Sequence, residues 1–288
     1  MADIVIIGSG RLGTSLGRAL AVRGHTVRAV TCRTAASARE SRNIIGRGKG
    51  LTDNAAAAGS GDVVFLCLPD EEIPAMAASL ARARLDWSRK TVFHTSGLLP
   101  SGALSALQEK GASIASFHPV QSFARKKTPS SHFQGVYFGI EGDRKACRRG
   151  AAFARELGGH PFLLPAKGKP AYHAACSIAS GFFVVLLDAA STLLSKAGIE
   201  EKTARRLLFP LVEGTLQNVK KLDTGGALTG PVARGDTASV RKHLKALRSF
   251  PEFAAAYRAL SILALKQAAK RGLPRHAIRA LKNLLGDK

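Results

Sequence analysis

Residues 3–17 have the sequence DIVIIGSGRLGTSLG, which decides how the remainder of the chain is interpreted. A short apolar segment leads into the pattern Gly8-x-Gly10-x-x-Gly13, and leucines then recur at helical spacing. In such a strand, turn and helix, the first glycine permits a sharp turn, the second admits a pyrophosphate, and the third lets the helix pack closely. The phosphates would lie at a helix N-terminus, which favours negative charge. We therefore predict a dinucleotide site, with a plain strand–turn–helix as the alternative, formed by Gly8, Ser9, Gly10, Arg11, Leu12 and Gly13.

The end of the second predicted strand, at residues 25–31, bears on the choice of cofactor. NAD sites usually place an acidic residue there to hold the ribose 2′-hydroxyl. This chain has Cys32-Arg33-Thr34 instead. The Arg33 guanidinium can pair with a 2′-phosphate and stack on adenine, with the Thr34 hydroxyl assisting. NADP is therefore favoured over NAD, although Arg33 can also be one of the many exposed arginines of this chain.

Strand and helix patterns alternate over the first half of the chain. Further strands are predicted at residues 62–69, 91–96, 112–117 and 134–141, and helices at residues 53–59, 72–83 and 144–157. This alternation predicts an α/β fold with a doubly wound, mostly parallel sheet. Ligands of such sheets bind at the carboxyl ends of the strands. The additional cofactor contacts predicted there are Leu68, Pro69, Thr95 and Ser96.

From residue 170 onwards the patterns are helical. Helices are predicted at residues 171–197, 201–221, 237–247, 251–270 and 274–285, and a glycine-rich loop at residues 222–236. The chain therefore divides into a dinucleotide-binding domain, residues 1–165, and an all-helical domain, residues 166–288. The helix at 171–197 is apolar almost all round, but polar residues interrupt it. A buried helix is favoured over a membrane span.

Composition narrows the partners and the compartment. The net charge is +23 over 288 residues, yet lysines and arginines are spread over nearly every segment and aromatic residues make up only 6%. A nucleic-acid site would gather charge and aromatic residues in one patch, so a general basic bias is favoured, followed by attraction of phosphorylated cofactors or acidic substrates. The four cysteines form no CxxC pair. Reduced thiols, no metal site and a cytoplasmic protein without a secretory signal are expected.

Four motifs carry a resemblance to a known family. They are His94-Thr-Ser-Gly97, Ser116-Phe-His-Pro-Val-Gln-Ser-Phe123, Tyr172-His-Ala-Ala175 and Leu228-Thr-Gly-Pro-Val-Ala-Arg-Gly-Asp236. With the N-terminal glycine pattern, the chain resembles the 6-phosphogluconate-dehydrogenase-like superfamily, which includes pyrroline-5-carboxylate reductase, ketopantoate reductase, prephenate dehydrogenase and deazaflavin-dependent NADP reductase. It is most similar to bacterial Rossmann-like proteins whose C-terminal part is called domain of unknown function 2520.

The resemblance implies a Rossmann domain, a helical dimerisation domain and an oxidoreductase, but it supplies no substrate. A homodimer is expected, with the long apolar helix as its interface. Gly181 stands where such proteins tend to carry Asn, so any role of that side chain is absent here. The reaction class rests on analogy between folds.

Hydride transfer needs a group that gives or takes a proton beside the substrate. His173, in the first turns of the long helix, is the first choice, since its charge changes near neutral pH. His118 and Ser96, at strand ends, are further candidates; a satisfied core histidine and an ordinary turn are the alternatives. In the glycine-rich loop, Arg234 can anchor a carboxylate or phosphate, and Asp236 can cap the helix that follows.

These residues suggest an NADP-dependent oxidoreductase acting on a small anionic carbonyl or imine compound. The alternative is a nucleotide-binding regulatory or scaffold protein without turnover. The enzyme is favoured by a set of polar residues, provided that its members converge on one cleft. They are His94, Ser96, His118, His173 and Arg234. The direction of reaction and the use of a second redox partner, such as a deazaflavin, stay open.

Overall fold

The computed structural model describes residues 1–286 and contains two compact units, Met1–Gly181 and a second that begins at Phe182. The first unit is built on one eight-stranded sheet with strand order β3-β2-β1-β4-β5-β6-β7-β8. All neighbouring strands are parallel except β6 and β7, which are antiparallel. The strands are β1 (Asp3–Ile7), β2 (Thr26–Thr31), β3 (Lys49–Leu51), β4 (Val63–Leu66), β5 (Thr91–His94), β6 (Ser113–Pro119), β7 (Tyr137–Gly142) and β8 (His160–Leu163).

Helices cover both faces of this sheet. They are α1 (Arg11–Val22), α2 (Ala35–Ile45), α3 (Asn54–Gly59), α4 (Glu72–Ala81), α5 (Ser105–Gln108), α6 (Arg144–Glu156) and α7 (Lys169–Ala179). One core cluster joins α1, α2 and α6 to the sheet, and a second cluster joins α3, α4 and α5 to the other face. The predicted α/β fold with a doubly wound, mostly parallel sheet is thus confirmed.

The central strands are buried on both faces, which explains their continuous apolar runs. All residues of β4 and β5 are buried. Phe93 of β5 stacks on Phe65 at a ring-centroid distance of 5.0 Å and also contacts Phe117 and Phe153. This aromatic cluster holds the strands whose carboxyl ends form the candidate site.

The second unit is helical. Its helices are α8 (Gly181–Lys196), α9 (Glu201–Ala227), α10 (Pro231–Arg234), α11 (Thr237–Ala246), α12 (Pro251–Lys270) and α13 (Arg275–Leu285). A small apolar core joins the elements from α10 onwards, with Val240, Leu265 and Leu281 at its centre. The predicted all-helical C-terminal half is confirmed.

Two details of the helical prediction are wrong. The loop predicted at residues 222–236 is largely helical, because α9 continues to Ala227 across a kink at Asp223, whose φ is +64°. The Asp223 carboxylate accepts the Gly226 N–H at 2.8 Å and so restarts the helix. The single helix predicted at residues 171–197 is divided into α7 and α8 at Ser180, whose φ is −119° and ψ is −68°.

Helix α8 is not buried within the single chain, contrary to the prediction. Phe182 is 58% exposed, Val184 65% and Val185 62%. One helical stretch among the described residues, Ala166–Lys196, is long and apolar enough to cross a membrane, judged by length and composition only, and 6% of its apolar window is buried. Within α8, Ser191 is the buried residue, and the side chains of residues 182–186 are exposed.

Helix α7 belongs to the first compact unit, which extends to Gly181. The Lys169 side chain of α7 donates hydrogen bonds to Ser96 and Ser116, and the Tyr172 hydroxyl contacts His118. The boundary near residue 165 rests on the change from alternating strand and helix patterns to helical patterns, and it stays a prediction.

We expect Phe93→Ala to lower the free energy of unfolding of the first unit by about 3–5 kcal/mol, because it leaves a cavity in the aromatic cluster. Trp87, the only tryptophan, is 1% exposed in the same unit, so its fluorescence during urea unfolding reports this change. Tyr137→Ala, at a position 58% exposed, is the control. Equal losses from both substitutions would contradict the assignment of the core.

Candidate functional site

The turn between β1 and α1 has the geometry that a pyrophosphate requires. Gly8 has φ of +86°, and a Cβ there would lie 2.6 Å from the Cys67 carbonyl oxygen. A Cβ on Gly13 would lie 2.4 Å from the Gly8 carbonyl oxygen, so helix and turn are in close contact. Around Gly10, by contrast, a Cβ would meet no atom within 4 Å, and no side chain caps α1. The helix therefore presents backbone N–H groups to an open space.

A cavity of about 640 Å³ extends from this turn across the end of β2. Arg33 and Thr34 line it, as predicted, together with Leu68 and Pro69. Arg33 is exposed and has no hydrogen-bond or ion-pair partner in the part of the chain that the structure describes. The Thr34 hydroxyl oxygen accepts the Ser37 N–H at 3.2 Å and so caps α2, leaving its proton available.

Ser9 also lines the cavity, but its hydroxyl and N–H groups are used within the protein. Its hydroxyl donates to the Thr31 carbonyl at 3.1 Å and lies 3.0 Å from the Cys32 sulfur. Ser9 is fully buried, and its backbone N–H donates to the same Thr31 carbonyl oxygen. Ser9 therefore fixes the turn against β2.

A second cavity of about 330 Å³ adjoins the first, and both are lined by Gly10, Cys67 and Leu68. It brings together the predicted residues Arg11, Leu12, Thr95, Ser96, His118 and His173. We call this second cavity the cleft. Burial raises the pKa of the Cys67 thiol, at the junction of the two cavities, to about 12, so that it stays protonated.

His118, which lines the cleft, is in hydrogen-bond contact with Tyr172 of α7. The Tyr172 hydroxyl and His118 Nδ1 lie 2.6 Å apart. Burial, followed by the nearby charges of Lys169 and His173, lowers the pKa of His118 to about 4, while burial raises that of Tyr172. At neutral pH the imidazole of His118 is therefore uncharged and the phenol of Tyr172 protonated; where the phenol donates to Nδ1, the imidazole proton is on Nε2.

Gly97 lets the two histidines of the cleft approach each other. A Cβ at position 97 would lie 2.7 Å from His173 Cδ2 and 2.9 Å from His118 Nε2. The two rings meet edge to face with centroids 6.1 Å apart. The strand-ending turn thus presents main chain, rather than a side chain, beside both imidazoles.

Two predicted polar residues have structural partners. His94 is fully buried; its Nε2 donates to the Pro100 carbonyl at 3.2 Å, and its Nδ1 accepts the Ser96 N–H. Burial lowers the pKa of His94 to about 4. The Ser96 hydroxyl oxygen accepts the N–H groups of Leu98 and Leu99 at 3.0 and 2.9 Å, which holds the turn. His94 does not line the cleft.

Arg234 lies in the second unit, at the end of α10, where it lines a cavity of about 450 Å³ with Thr229 and Gly230. The Asp236 carboxylate accepts the Ser239 N–H at 3.0 Å, which confirms its predicted role as the cap of α11. The polar set proposed from the sequence therefore includes three residues of one cleft, one core histidine and one residue of the other unit.

Two lysines escaped the sequence analysis. Lys126 lines the dinucleotide cavity and pairs with Glu40 at 2.6 Å. Lys169 is buried beneath the cleft and donates to Ser116 Oγ at 2.6 Å. Its spacing from Tyr172 and His173, three and four residues along a helix, was the available signal, because such residues share a helix face.

Two protein-family models match the chain, one after the other along the sequence. The Rossmann-like domain family matches residues 2–119, and the family described as domain of unknown function DUF2520 matches residues 136–264. The chain is a Rossmann-like protein with a DUF2520 domain. No curated protein matched this Rossmann–DUF2520 chain.

Solved structures resemble the Rossmann–DUF2520 chain over nearly its whole length. A proposed NADP oxidoreductase of Bacteroides fragilis is 24% identical, with 92% of this chain and 98% of that chain covered and a TM-score of 0.77. A Thermotoga maritima protein is 27% identical, with coverage of 93% and 99% and a TM-score of 0.70. The NADP-bound pyrroline carboxylate reductase of Plasmodium falciparum is 11% identical, with coverage of 94% and 96% and a TM-score of 0.59. These likenesses establish a shared fold.

We expect the free energy of unfolding to fall as the pH drops from about 6.5 towards 4. His94 and His118 have pKa values lowered to about 4 in the folded protein, so the unfolded chain, with values near 6.5, binds more protons in this window. Each imidazole contributes a slope of up to about 1.4 kcal/mol per pH unit, and stability is fully present above pH 6.5. Urea unfolding at a series of pH values measures the slope.

In the same experiment His118→Gln should reduce the slope of the free energy of unfolding against pH by the contribution of one imidazole. The matched control is His160→Gln, at an exposed position of β8, which should leave the slope as in the wild type. A His118→Gln variant with the full wild-type slope would show that the pKa of His118 is not lowered in the folded protein.

Proposed function

We propose that the protein is an NADP-dependent oxidoreductase that transfers a hydride to or from a small anionic carbonyl or imine compound in the cytoplasm. The observation that carries the proposal is the continuity of two cavities: one begins at the glycine turn, and the other is lined by His118 and His173. A dinucleotide spanning both would bring its reactive end to the two histidines. The Plasmodium falciparum relative, a reductase of a carboxylated cyclic imine with NADP bound, is consistent with this choice of chemistry.

The residues of the first cavity fit a nicotinamide dinucleotide. Gly10 leaves the space for phosphate oxygens, and the uncapped N-terminus of α1 supplies donors. The strand end that carries an acid in NAD sites has Cys32, followed by the unpartnered Arg33. This combination favours a 2′-phosphate, and so NADP over NAD. When bound, the cofactor supplies or accepts the hydride.

The residues of the cleft would serve the other half of the reaction. His118 is uncharged and backed by Tyr172, so its Nε2–H can donate a hydrogen bond to a carbonyl oxygen or imine nitrogen. His173 lies beside it and is our choice for the group that exchanges a proton with the substrate. Gly97 gives a close main-chain wall, and its N–H is a candidate donor to a substrate carboxylate. We infer that Arg234, in the separate cavity of the second unit, binds an anionic group there.

We expect Arg33→Ala to weaken NADPH binding by roughly thirtyfold and NADH binding far less, since NADPH alone loses a charge-assisted contact worth about 2 kcal/mol. Titration of the purified protein with each nucleotide, followed by nicotinamide fluorescence, measures both affinities. Arg39→Ala is the matched control, because Arg39 is exposed on α2 and does not line the cavity. Unchanged NADPH binding in Arg33→Ala would rule out the role of Arg33.

The same titration decides the central inference. Failure of the wild-type protein to bind either nucleotide would contradict the dinucleotide site. Binding followed by NADPH oxidation with anionic carbonyl or imine compounds supports the enzyme. Tight binding without turnover of any such compound supports the alternative, a nucleotide-binding regulatory protein.

We further propose that a second copy of the chain covers α8, as the resemblance to dimeric proteins implies. The exposed apolar residues of this helix include Phe182, Val184 and Val185. A contiguous apolar surface of this kind is unusual on a monomer and typical of an obligate interface. A homodimer gives these side chains the burial that the single chain lacks.

We expect Val185→Asp to convert a dimer into a monomer, because it places a carboxylate in the buried interface. Light scattering coupled to size-exclusion chromatography measures the mass. Val22→Asp is a closely matched control, since Val22 is 61% exposed and Val185 is 62% exposed. A wild-type protein that is monomeric, or a Val185→Asp variant that stays dimeric, would contradict the proposed interface.

A further inference from the structure

Lys169 is fully buried. No other lysine, arginine, aspartate or glutamate in the described part of the chain is buried. The other described residues of these four types are at least partly exposed, as is usual. Burial of an ammonium group is unfavourable unless the surroundings compensate it. A sequence with 43 lysines and arginines has no shortage of exposed positions for them. The buried position of Lys169 therefore calls for a specific explanation.

The contacts of Lys169 lie at the strand ends that form the cleft. Its Nζ donates to Ser116 Oγ at 2.6 Å and to the Ser96 carbonyl at 3.3 Å. No carboxylate lies within ion-pair distance among the described residues, and Glu141 and Asp70 act on it only at longer range. Both oxygens of Glu141 accept hydrogen bonds from Ser101, at 2.6 and 2.7 Å. Lys169 thus binds neutral oxygens of β6 and of the turn after β5.

Each element that Lys169 joins carries a residue of the cleft. The turn after β5 carries Gly97, next to the Ser96 carbonyl. Strand β6 carries His118 two residues after Ser116, on the same face of the strand. Helix α7 carries Tyr172 and His173 on the face of Lys169. One ammonium group therefore connects the three pieces of backbone on which the cleft is built.

We propose that Lys169 is a positioning residue of the cleft: its ammonium group ties α7 to the turn at Ser96 and to Ser116, and so sets where His118 and His173 stand. Its role in turnover rests on the proposed function, but its effect on the cleft does not. The positive charge of Lys169 also affects the charge state of the cleft. It disfavours a second cation at His118 or His94, and it favours an anionic substrate over a cationic one.

The charge of Lys169 accounts for part of the unusual state of His118. Burial is the main cause of its low pKa, and the charge of Lys169 is the next. The other titratable groups around these two residues are His94, His173, Tyr172, Glu141 and Asp70, and burial keeps the pKa of Lys169 itself below its usual value. Without the ammonium charge, His118 should be protonated more easily.

The test compares Lys169→Met, Lys169→Arg and the wild type by NMR titration of the histidine rings. The His118 signal is assigned from its loss in His118→Gln. We expect Lys169→Met to raise the pKa of His118 by about one unit, since a like charge is removed. Lys169→Arg retains the charge and should leave it near the wild-type value. If the protein turns over, the acid limb of its pH profile should move to higher pH in Lys169→Met.

Lys90→Met is the matched control. Lys90 also bridges two segments from a partly buried position, by donating to the carbonyls of Ala58 and Gly61 at the other end of the strands. It should destabilise the protein and leave the titration of His118 unchanged. An unchanged His118 in Lys169→Met, or a Lys169→Arg variant that behaves like Lys169→Met, would overturn the proposal.

A second variant applies if Lys169→Met does not fold. Ser116→Ala removes the closest acceptor of the ammonium group and should increase amide hydrogen exchange in the turn after β5 and in the first turns of α7. Ser113→Ala, at the opposite end of β6, is its control. Equal exchange in the two serine variants would count against the positioning role. NADPH binding is measured separately, so failure of the proposed function leaves these outcomes decisive.

Discussion

The close approach of Gly8 to the main chain of Cys67 is the contact on which both halves of the site depend. A Cβ at Gly8 would lie 2.6 Å from the Cys67 carbonyl oxygen, so only glycine lets β1 end beside β4 in this way. The residues at the end of β4 then line the dinucleotide cavity on one side and the cleft on the other. Because one contact sets both walls, the cavity at the glycine turn and the cleft with His118 and His173 are held next to each other.

The fold was largely predictable because its signals are local. Continuous apolar runs mark strands buried on both faces, and the helices carry apolar stripes at the expected period. The strands that escaped prediction lie at the two edges of the sheet. Strand β3 has three residues, including a glycine, and β8 contains Pro161, so neither has the pattern of a central strand. Register with a neighbouring strand, which the sequence does not display, defines both.

The candidate site was predictable where position along the chain implies position in the sheet. Ser96 and His118 were found because the ends of parallel strands meet at one edge. Side-chain direction was not accessible in this way. His94 is close to Ser96 in sequence, yet its two nitrogens are engaged by Pro100 and Ser96. Lys169 looked like one surface lysine among many, because nothing in its local sequence indicates burial.

Two departures from the usual distribution of residues remain, and they have opposite signs. A lysine is fully buried in a protein with a net charge of +23, while phenylalanine and valine side chains of α8 face solvent in the single chain. Each is unfavourable taken alone, since the ammonium loses hydration and the apolar surface keeps it. Folding of one chain therefore does not explain either. The proposed positioning role would explain the buried lysine, and the proposed second copy of the chain would explain the exposed helix, so both departures favour a functional explanation.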